Sequence, residues 1–364
     1  MAKGAGGMEK LAIKDFYHGK KVFITGNTGF KGSWLAEVLM GFGAEVLGYA
    51  LKPPTDPALF YILRQDERFP TIFADVRNLS KITKAVKEFR PDIVIHMAAQ
   101  PIVLMAYENP TETYEINVMG TVNILEAVRQ VDTVQSFLNV TTDKVYRNNE
   151  WAWGYRETDV LDGFDPYSNS KSCAELVTRS FRDSFFAKEA AARISTARAG
   201  NVIGGGDFAA NRIIPDCVRA AHKKERIVLR NPQSVRPYQH VLEPVFAYLT
   251  IAKAQYEDRD FAGSYNVGPN EEDCVTTAQL AELFCNAWGN GLAWQNTDTA
   301  NGPHEANFLR LDSSLIKQKL EYAPRWDIKK GVSRSIDIYK AYFSGDDVNV
   351  HVERQIKEFI KDGK

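Results

Sequence analysis

Two rhythms of hydrophobic and polar positions alternate along the chain up to about residue 200. Short apolar runs at 21–25 (KVFIT), 45–51, 71–74, 92–97 (DIVIHM), 136–140 and 194–198 predict strands. Stretches with helical spacing at 30–42, 79–89, 111–130 and 169–188 predict helices between them. DIVIHM is almost unbroken apolar sequence, as a strand covered on both faces requires. Strands alternating with helices call for right-handed crossovers. The expected fold class is therefore α/β, a Rossmann-type doubly wound parallel sheet.

After about residue 200 the rhythm breaks. Glycines cluster at Gly204, Gly205 and Gly206, and arginines recur at Arg212, Arg219, Arg226, Arg230 and Arg236. The expected organisation is a flexible leader (1–14), a first domain (15–200) and a smaller C-terminal α/β lobe (201–364) for substrate. Some segments of that lobe should return to the first domain. No repeat or low-complexity linker separates the two, so they should pack closely.

Composition narrows the function classes. The chain has 364 residues, enough for more than one small core, with 44% hydrophobic and 25% charged residues. A net charge of -1 offers no basic surplus for nucleic acid or an anionic membrane surface. Cys173, Cys217, Cys274 and Cys285 are scattered, outside any zinc spacing, and read as reduced thiols. His240 and His304 are isolated, so no metal site is expected. Met1 to Gly7 is small and Gly-rich without an apolar segment, unlike a signal peptide. No run reaches the ~18 apolar residues that span a bilayer. The expected location is the cytoplasm.

Gly26-Asn27-Thr28-Gly29-Phe30-Lys31-Gly32 follows the first strand and opens the first helix. In that position G-x-x-G-x-x-G predicts a dinucleotide loop. The first glycine permits the turn, the second lets backbone approach a diphosphate, and the third lets helix and strand close up. The first domain is thus expected to hold NAD. An acid usually grips the adenosine ribose at the end of the second strand. Here the tip reads GYALK, ending at Lys52. NAD should therefore be held loosely, or Lys31 and Lys52 select NADP through its 2′-phosphate. Asp75, ending the third strand, suits either the adenine amino group or a plain helix-cap or turn position before Leu79.

Tyr167 and Lys171 form Y-x-x-x-K, a spacing that puts both on one helical face. A nearby ammonium lowers a phenol from its usual value of about 10, which would make Tyr167 a base near neutrality. Thr141-Thr142-Asp143-Lys144 stands where the fifth strand ends, and the carboxyl ends of parallel strands form the ligand crevice. A Thr142 hydroxyl there can bond a substrate hydroxyl, and Asp143 and Lys144 can trade protons. A solvated turn is the plain alternative for the same residues.

The glycine loop, HMAAQ (96–100), INVMGT around Asn117, TTDK and YSNSK stand in the order of the extended short-chain dehydrogenases. The chain resembles that family of NAD-dependent sugar-nucleotide dehydratases and epimerases over roughly residues 15 to 330. TTDKVY, DPYSNSK, RAGNVIGGGDF and RPYQHVLEP look most like its branch acting on CDP-glucose. Lys144 is the most telling residue, because the related thymidine-diphosphate-glucose dehydratases carry Glu there. The 4-epimerases lack the Asp-Lys pair. Tyr238 replaces an expected Trp and keeps an aromatic ring.

The resemblance implies the following roles. Gly26 to Gly32, Asp75, Val76, Ala98, Ala99, Gln100, Asn117, Thr141, Tyr167 and Lys171 would bind NAD. Tyr167 would take the sugar O4 proton as C4 hydride leaves. Lys144, in its neutral form, would take the C5 proton, and Asp143 would protonate the departing C6 hydroxyl. Hydride returns to C6, giving CDP-4-keto-6-deoxyglucose for surface polysaccharides such as lipopolysaccharide. Thr142, Asn201, Arg212 and Arg236 would hold substrate. Helices starting near Thr111 and Asn169 would pair in a homodimer or larger homo-oligomer. The segment 151–165 would either cover the site or join that contact. The main rivals are a 4,6-dehydratase or 4-epimerase for another nucleotide sugar. An NADP-dependent ketone reductase and a non-catalytic NAD(P) sensor are weaker ones.

Overall fold

The computed structural model describes residues 13–188, 191–297 and 308–363. Most of the expected leader, and His304, lie outside them. Residues 13 and 14, assigned to the leader from sequence, begin a short helical turn at 13–17. Ile13 and Phe16 pack against the core, and Tyr17 is fully buried in it, which anchors that turn.

Strands β1 (Lys21–Thr25), β2 (Glu45–Ala50), β3 (Thr71–Phe73), β4 (Ile93–His96), β5 (Ser136–Thr142), β6 (Arg193–Ala199) and β7 (Ser264–Val267) form one sheet. Their order is β7-β6-β5-β4-β1-β2-β3, and every neighbour pair is parallel. The strand order turns back between β1 and β4. Such a reversal opens a crevice at the carboxyl ends of the strands. Helices α1 (Phe30–Gly41), α2 (Leu79–Phe89), α3 (Gly120–Arg129), α4 (Pro166–Phe185) and α5 (Leu242–Glu257) are among those covering its faces.

Two apolar layers enclose the sheet. One joins Val22, Ile24 and Ile95 to α1 and α5, and the other joins Phe23, Val94 and Phe137 to α2 and α3. Central strands covered on both faces must be apolar throughout, which is why DIVIHM reads as it does.

The chain beyond residue 200 divides between two places. Leu242–Glu257, Ser264–Val267 and Val348–Asp362 return to the first core. A separate cluster joins Ile213–Lys223, Thr277–Trp288 and Ile328–Ser344. It carries short strand pairs, including Ile227–Leu229 with Trp294–Asn296. Gly205 marks a crossing between the two cores, because a Cβ there would lie 2.1 Å from Ile338 Cβ. Among the described residues no helix is long and apolar enough to cross a membrane.

The predicted helix at 111–130 is not uniform. It runs as Pro110–Tyr114, then a π-helical stretch Glu115–Met119, then α3. π-turns commonly mark functional sites, and this one carries the buried Asn117.

Candidate active site

The glycine loop has little room for side chains. Gly26 sits at φ +76°, where L side chains are strained, and a Cβ would lie 2.8 Å from Ala98 N. At Gly32 a Cβ would meet Gly26 O at 2.2 Å. Gly29 differs: its nearest neighbour would be 3.5 Å away, so the space above it is open. It is also the N-cap of α1, and no side chain caps the helix there. Unpaired amides and the helix dipole favour an anion at that point. Asn27 is buried, with Nδ2 donating to Thr71 Oγ1 at 2.9 Å and Oδ1 left without a partner among the described residues. The loop and the uncapped helix fit the diphosphate of a dinucleotide.

The loop after β4 is tied to β1. Thr25 Oγ1 accepts from Met97 N at 3.0 Å and Ala98 N at 3.1 Å, and meets His96 Nδ1 at 2.7 Å. Burial first, then the Lys171 charge, push His96 down to about 3, so it is neutral. Asn117 clamps the far end: Oδ1 accepts from Gln100 N, and Nδ2 donates to Gln100 O and Ser170 Oγ. It thereby fixes Ala98, Ala99 and Gln100 against α4, its side chain spent inside the protein.

Several residues expected at the cofactor also make contacts within the protein. Both Asp75 oxygens accept from Arg77, which outweighs burial and holds that carboxyl below its usual range. Asp75 holds the turn before α2, its side chain accepting from Arg77 N and its carbonyl from Asn78 N. The cap itself is Asn78, which accepts from Lys81 N. The Val76 carbonyl accepts from Asn123, and its side chain packs against Gly120. Thr141 turns its hydroxyl toward Glu175. Phe30 packs beside Gly204. The two lysines offered for a 2′-phosphate differ in their surroundings. Lys52 is exposed beyond β2, while Lys31 exchanges charge with Lys171, Arg212 and Asp143.

Tyr167 and Lys171 stand in the first turns of α4. Pro166 opens that helix, and Asp165 caps it by accepting from Ser168 N at 3.0 Å. Such a cap contributes about 1 kcal/mol and fixes where the helix begins. Tyr167, Lys171, Glu175 and Thr178 form a buried stripe at helical spacing facing β5 and β6. The expectation of a phenol lowered by its ammonium neighbour is not met. Burial raises Tyr167 to about 12, with Thr142 and Arg212 pulling it back and Asp143 adding to the rise. The same burial, helped by Lys31, pushes Lys171 down to about 7. Desolvation disfavours both charged forms more than the pair stabilises them.

Asp143 is the other buried group of the cluster. Its Oδ1 accepts from Thr142 at 3.0 Å, and Oδ2 has no partner among the described residues. Burial raises its carboxyl above the ordinary range, against the Lys144 charge, the Thr142 hydrogen bond and Arg236. Lys144 is half-buried in the turn Asp143–Val145 that ends β5.

Arg212 pairs with Asp207 at 2.9 Å, and its charge reaches Tyr167 and Lys31. Arg236 is buried beside the Val235 carbonyl, and its charge reaches Asp143. Both therefore border the cluster. Asn201 lies in the turn after β6, its carbonyl accepting from Gln239 N. His240 is fully buried, pushed down to about 3 by burial first and Arg334 second, and packs between Trp34 and Trp326. Among the described residues no group of His, Cys, Asp and Glu is placed to hold a metal.

One feature was missed from sequence. Glu175, one turn beyond Lys171, accepts from Thr141, Thr196 and Arg198 in full burial. Arg198 goes on to Tyr146 and the Glu157 carbonyl, so β5, β6, α4 and the segment after Tyr146 share one network. The signal was available, since an acid at the next step of the Y-x-x-x-K stripe cannot face solvent. Glu175→Ala leaves the Arg198 guanidinium buried and unpaired, and should cost about 3–5 kcal/mol in urea unfolding. Converting both residues to Met should restore most of that loss. A stable single variant would mean water reaches Arg198.

The sequence profile described as GDP-mannose 4,6 dehydratase matches residues 23–335. The chain belongs to the GDP-mannose 4,6-dehydratase family. Within reach of that family, it is 45% identical over 352 residues to CDP-glucose 4,6-dehydratase of Salmonella typhimurium, covering 95% of this chain and 98% of that one. It is 25% identical to CDP-paratose 2-epimerase of Salmonella typhi, covering 87% and 98%. The fold matches UDP-glucose 4-epimerase from Thermus thermophilus in complex with NAD. That match has a TM-score of 0.77 at 24% identity, over 88% of this chain and 99% of that one. It also matches a dTDP-glucose 4,6-dehydratase from Streptomyces venezuelae with NAD bound. There the TM-score is 0.77 at 20% identity, over 90% and 98%. Both are doubly wound sheets like this one.

Proposed function

We propose that the chain is an NAD-dependent 4,6-dehydratase that turns CDP-glucose into CDP-4-keto-6-deoxyglucose. The observation that carries the reading is Asp143, a buried carboxyl with one oxygen unpartnered among the described residues, in one cluster with Tyr167 and Lys171. Oxidising C4 needs only a base at O4. Expelling water from C6 needs an acid as well, and a raised carboxyl is such an acid. The identity to the Salmonella typhimurium enzyme supports cytosine as the base.

Bound NAD supplies the acceptor for the C4 hydride and later its donor to C6. Tyr167 takes the O4 proton. The resulting ketone acidifies C5, whose proton goes to Lys144, which reprotonates C5 when hydride reaches C6. Asp143 protonates the C6 hydroxyl as it leaves as water. Arg212 and Arg236 meet the substrate diphosphate, for which guanidinium is suited. Incubation with CDP-, dTDP-, UDP- and GDP-sugars tests the reading. CDP-glucose should give a 4-keto-6-deoxy product without net NADH. Preference for another nucleotide would overturn the substrate, and a C4 epimer that keeps its C6 hydroxyl would overturn the reaction.

Lys144→Ala should abolish exchange of the C5 hydrogen with solvent deuterium, followed by mass spectrometry of the sugar. Normal exchange would assign the base elsewhere.

Self-association through the helical stretch at 111–130 and α4 completes the reading. Met119, Leu176 and Phe185 are exposed there. Sedimentation equilibrium should give a dimer or larger species, and a monomer would refute it. The setting proposed is cytoplasmic deoxysugar supply for surface polysaccharide, and cell fractionation should find the protein with soluble enzymes.

A further inference from the structure

Lys31 is an unusual residue for its place. It lies in the first turn of α1, two residues beyond Gly29. Its ammonium stands 5.9 Å from the centre of the Tyr248 ring, whose own hydroxyl is buried without a partner among the described residues. Lys31 is half-buried, and among the described residues no hydrogen bond or ion pair holds its ammonium. Its neighbours make this worse. Arg212 and the partly protonated Lys171 add positive charge, which Asp143 offsets only to the extent that it is ionised. Burial, then Arg212, push Lys31 down to about 8 against the pull of Asp143, so at neutral pH most of it is charged.

Two anchors fix what passes this point, given the NAD reading of the site. The diphosphate belongs at the glycine loop and the start of α1. The reacting carbon belongs beside Tyr167 and Lys171. Lys31 starts at the first anchor, and its charge reaches the second. The nicotinamide ring must cross between them.

We propose that Lys31 borders the nicotinamide and sets the balance between its oxidised and reduced forms, weakening oxidised NAD and favouring NADH. The oxidised ring carries a positive charge, which Lys31 repels. When the C4 hydride brings two electrons to the ring, that charge vanishes, while the O4 proton goes to Tyr167. A fixed cation therefore pulls the enzyme-bound equilibrium toward ketone and NADH, the state from which elimination proceeds. It also gives loose NAD binding a second cause, beside the absent ribose acid at Ala50 and Leu51.

The test is binding and does not depend on turnover. Dissociation constants of NAD and NADH are measured by calorimetry and nicotinamide fluorescence for the wild type, Lys31→Met and Lys31→Arg. Circular dichroism confirms that each variant is folded. Lys31→Met should tighten NAD by ~10-fold relative to NADH, the effect of losing one nearby like charge in a partly buried site. Lys31→Arg should keep the wild-type ratio. Two results overturn the proposal: both nucleotides weakening together, which would place Lys31 on the diphosphate, or an unchanged ratio. Failure of the wild type to bind either nucleotide would overturn the NAD reading itself and this inference with it. Binding with an unmoved ratio would overturn only the inference.

Discussion

Asp143→Asn, mixed with CDP-glucose and NAD, should accumulate bound NADH and a 4-keto sugar that still carries its C6 hydroxyl. The variant keeps the shape of the side chain and the bond to Thr142, but loses the deliverable proton. Hydroxide is a poor leaving group, so elimination should slow by the ~10²–10⁴-fold that a general acid is typically worth. Oxidation should survive, because O4 deprotonation belongs to Tyr167. The near-ultraviolet band of reduced nicotinamide reads this in one turnover. A variant that binds both ligands and forms no NADH would place Asp143 in the oxidation step instead.

Tyr167→Phe should block the reaction one step earlier. Loss of a general base is likewise worth ~10²–10⁴-fold, and no NADH band should form on mixing. The wild-type pH response gives an independent check. Tyr167 is raised to about 12 by burial, so its base form grows as pH rises across the accessible range. The single-turnover oxidation rate should therefore climb with pH. Asp143 is also raised by burial, and its acid form is lost with rising pH, so elimination should respond in the opposite sense. Oxidation that persists in Tyr167→Phe would hand the proton to another group. Lys171, lowered to about 7, is then the nearest alternative.

The strand and helix pattern was readable because both apolar layers press on the central strands. KVFIT and DIVIHM have no solvent face to show, and α2 begins and ends where its spacing says. The glycine loop was readable for a related reason. Backbone contacts of 2.2 and 2.8 Å leave Gly32 and Gly26 no substitute. The π-stretch at Glu115–Met119 was not visible, because its side chains keep helical spacing and only the Asn117 clamp shows the extra turn.

The sequence by itself determined the doubly wound class, the dinucleotide loop and the pairing of Tyr167 with Lys171. Each is a local pattern, written within one strand, turn or helix. Only the tertiary structure decided which charges meet. It brought Lys31 into the cluster with Lys171 and Asp143 and left Lys52 exposed beyond β2. It committed Asp75 to Arg77 and Thr141 to Glu175, and returned Leu242–Glu257 and Ser264–Val267 to the first core. It also reversed the expected shift of Tyr167. Spacing puts an ammonium near the phenol, but the direction of a titration depends on how much water the fold removes from both groups.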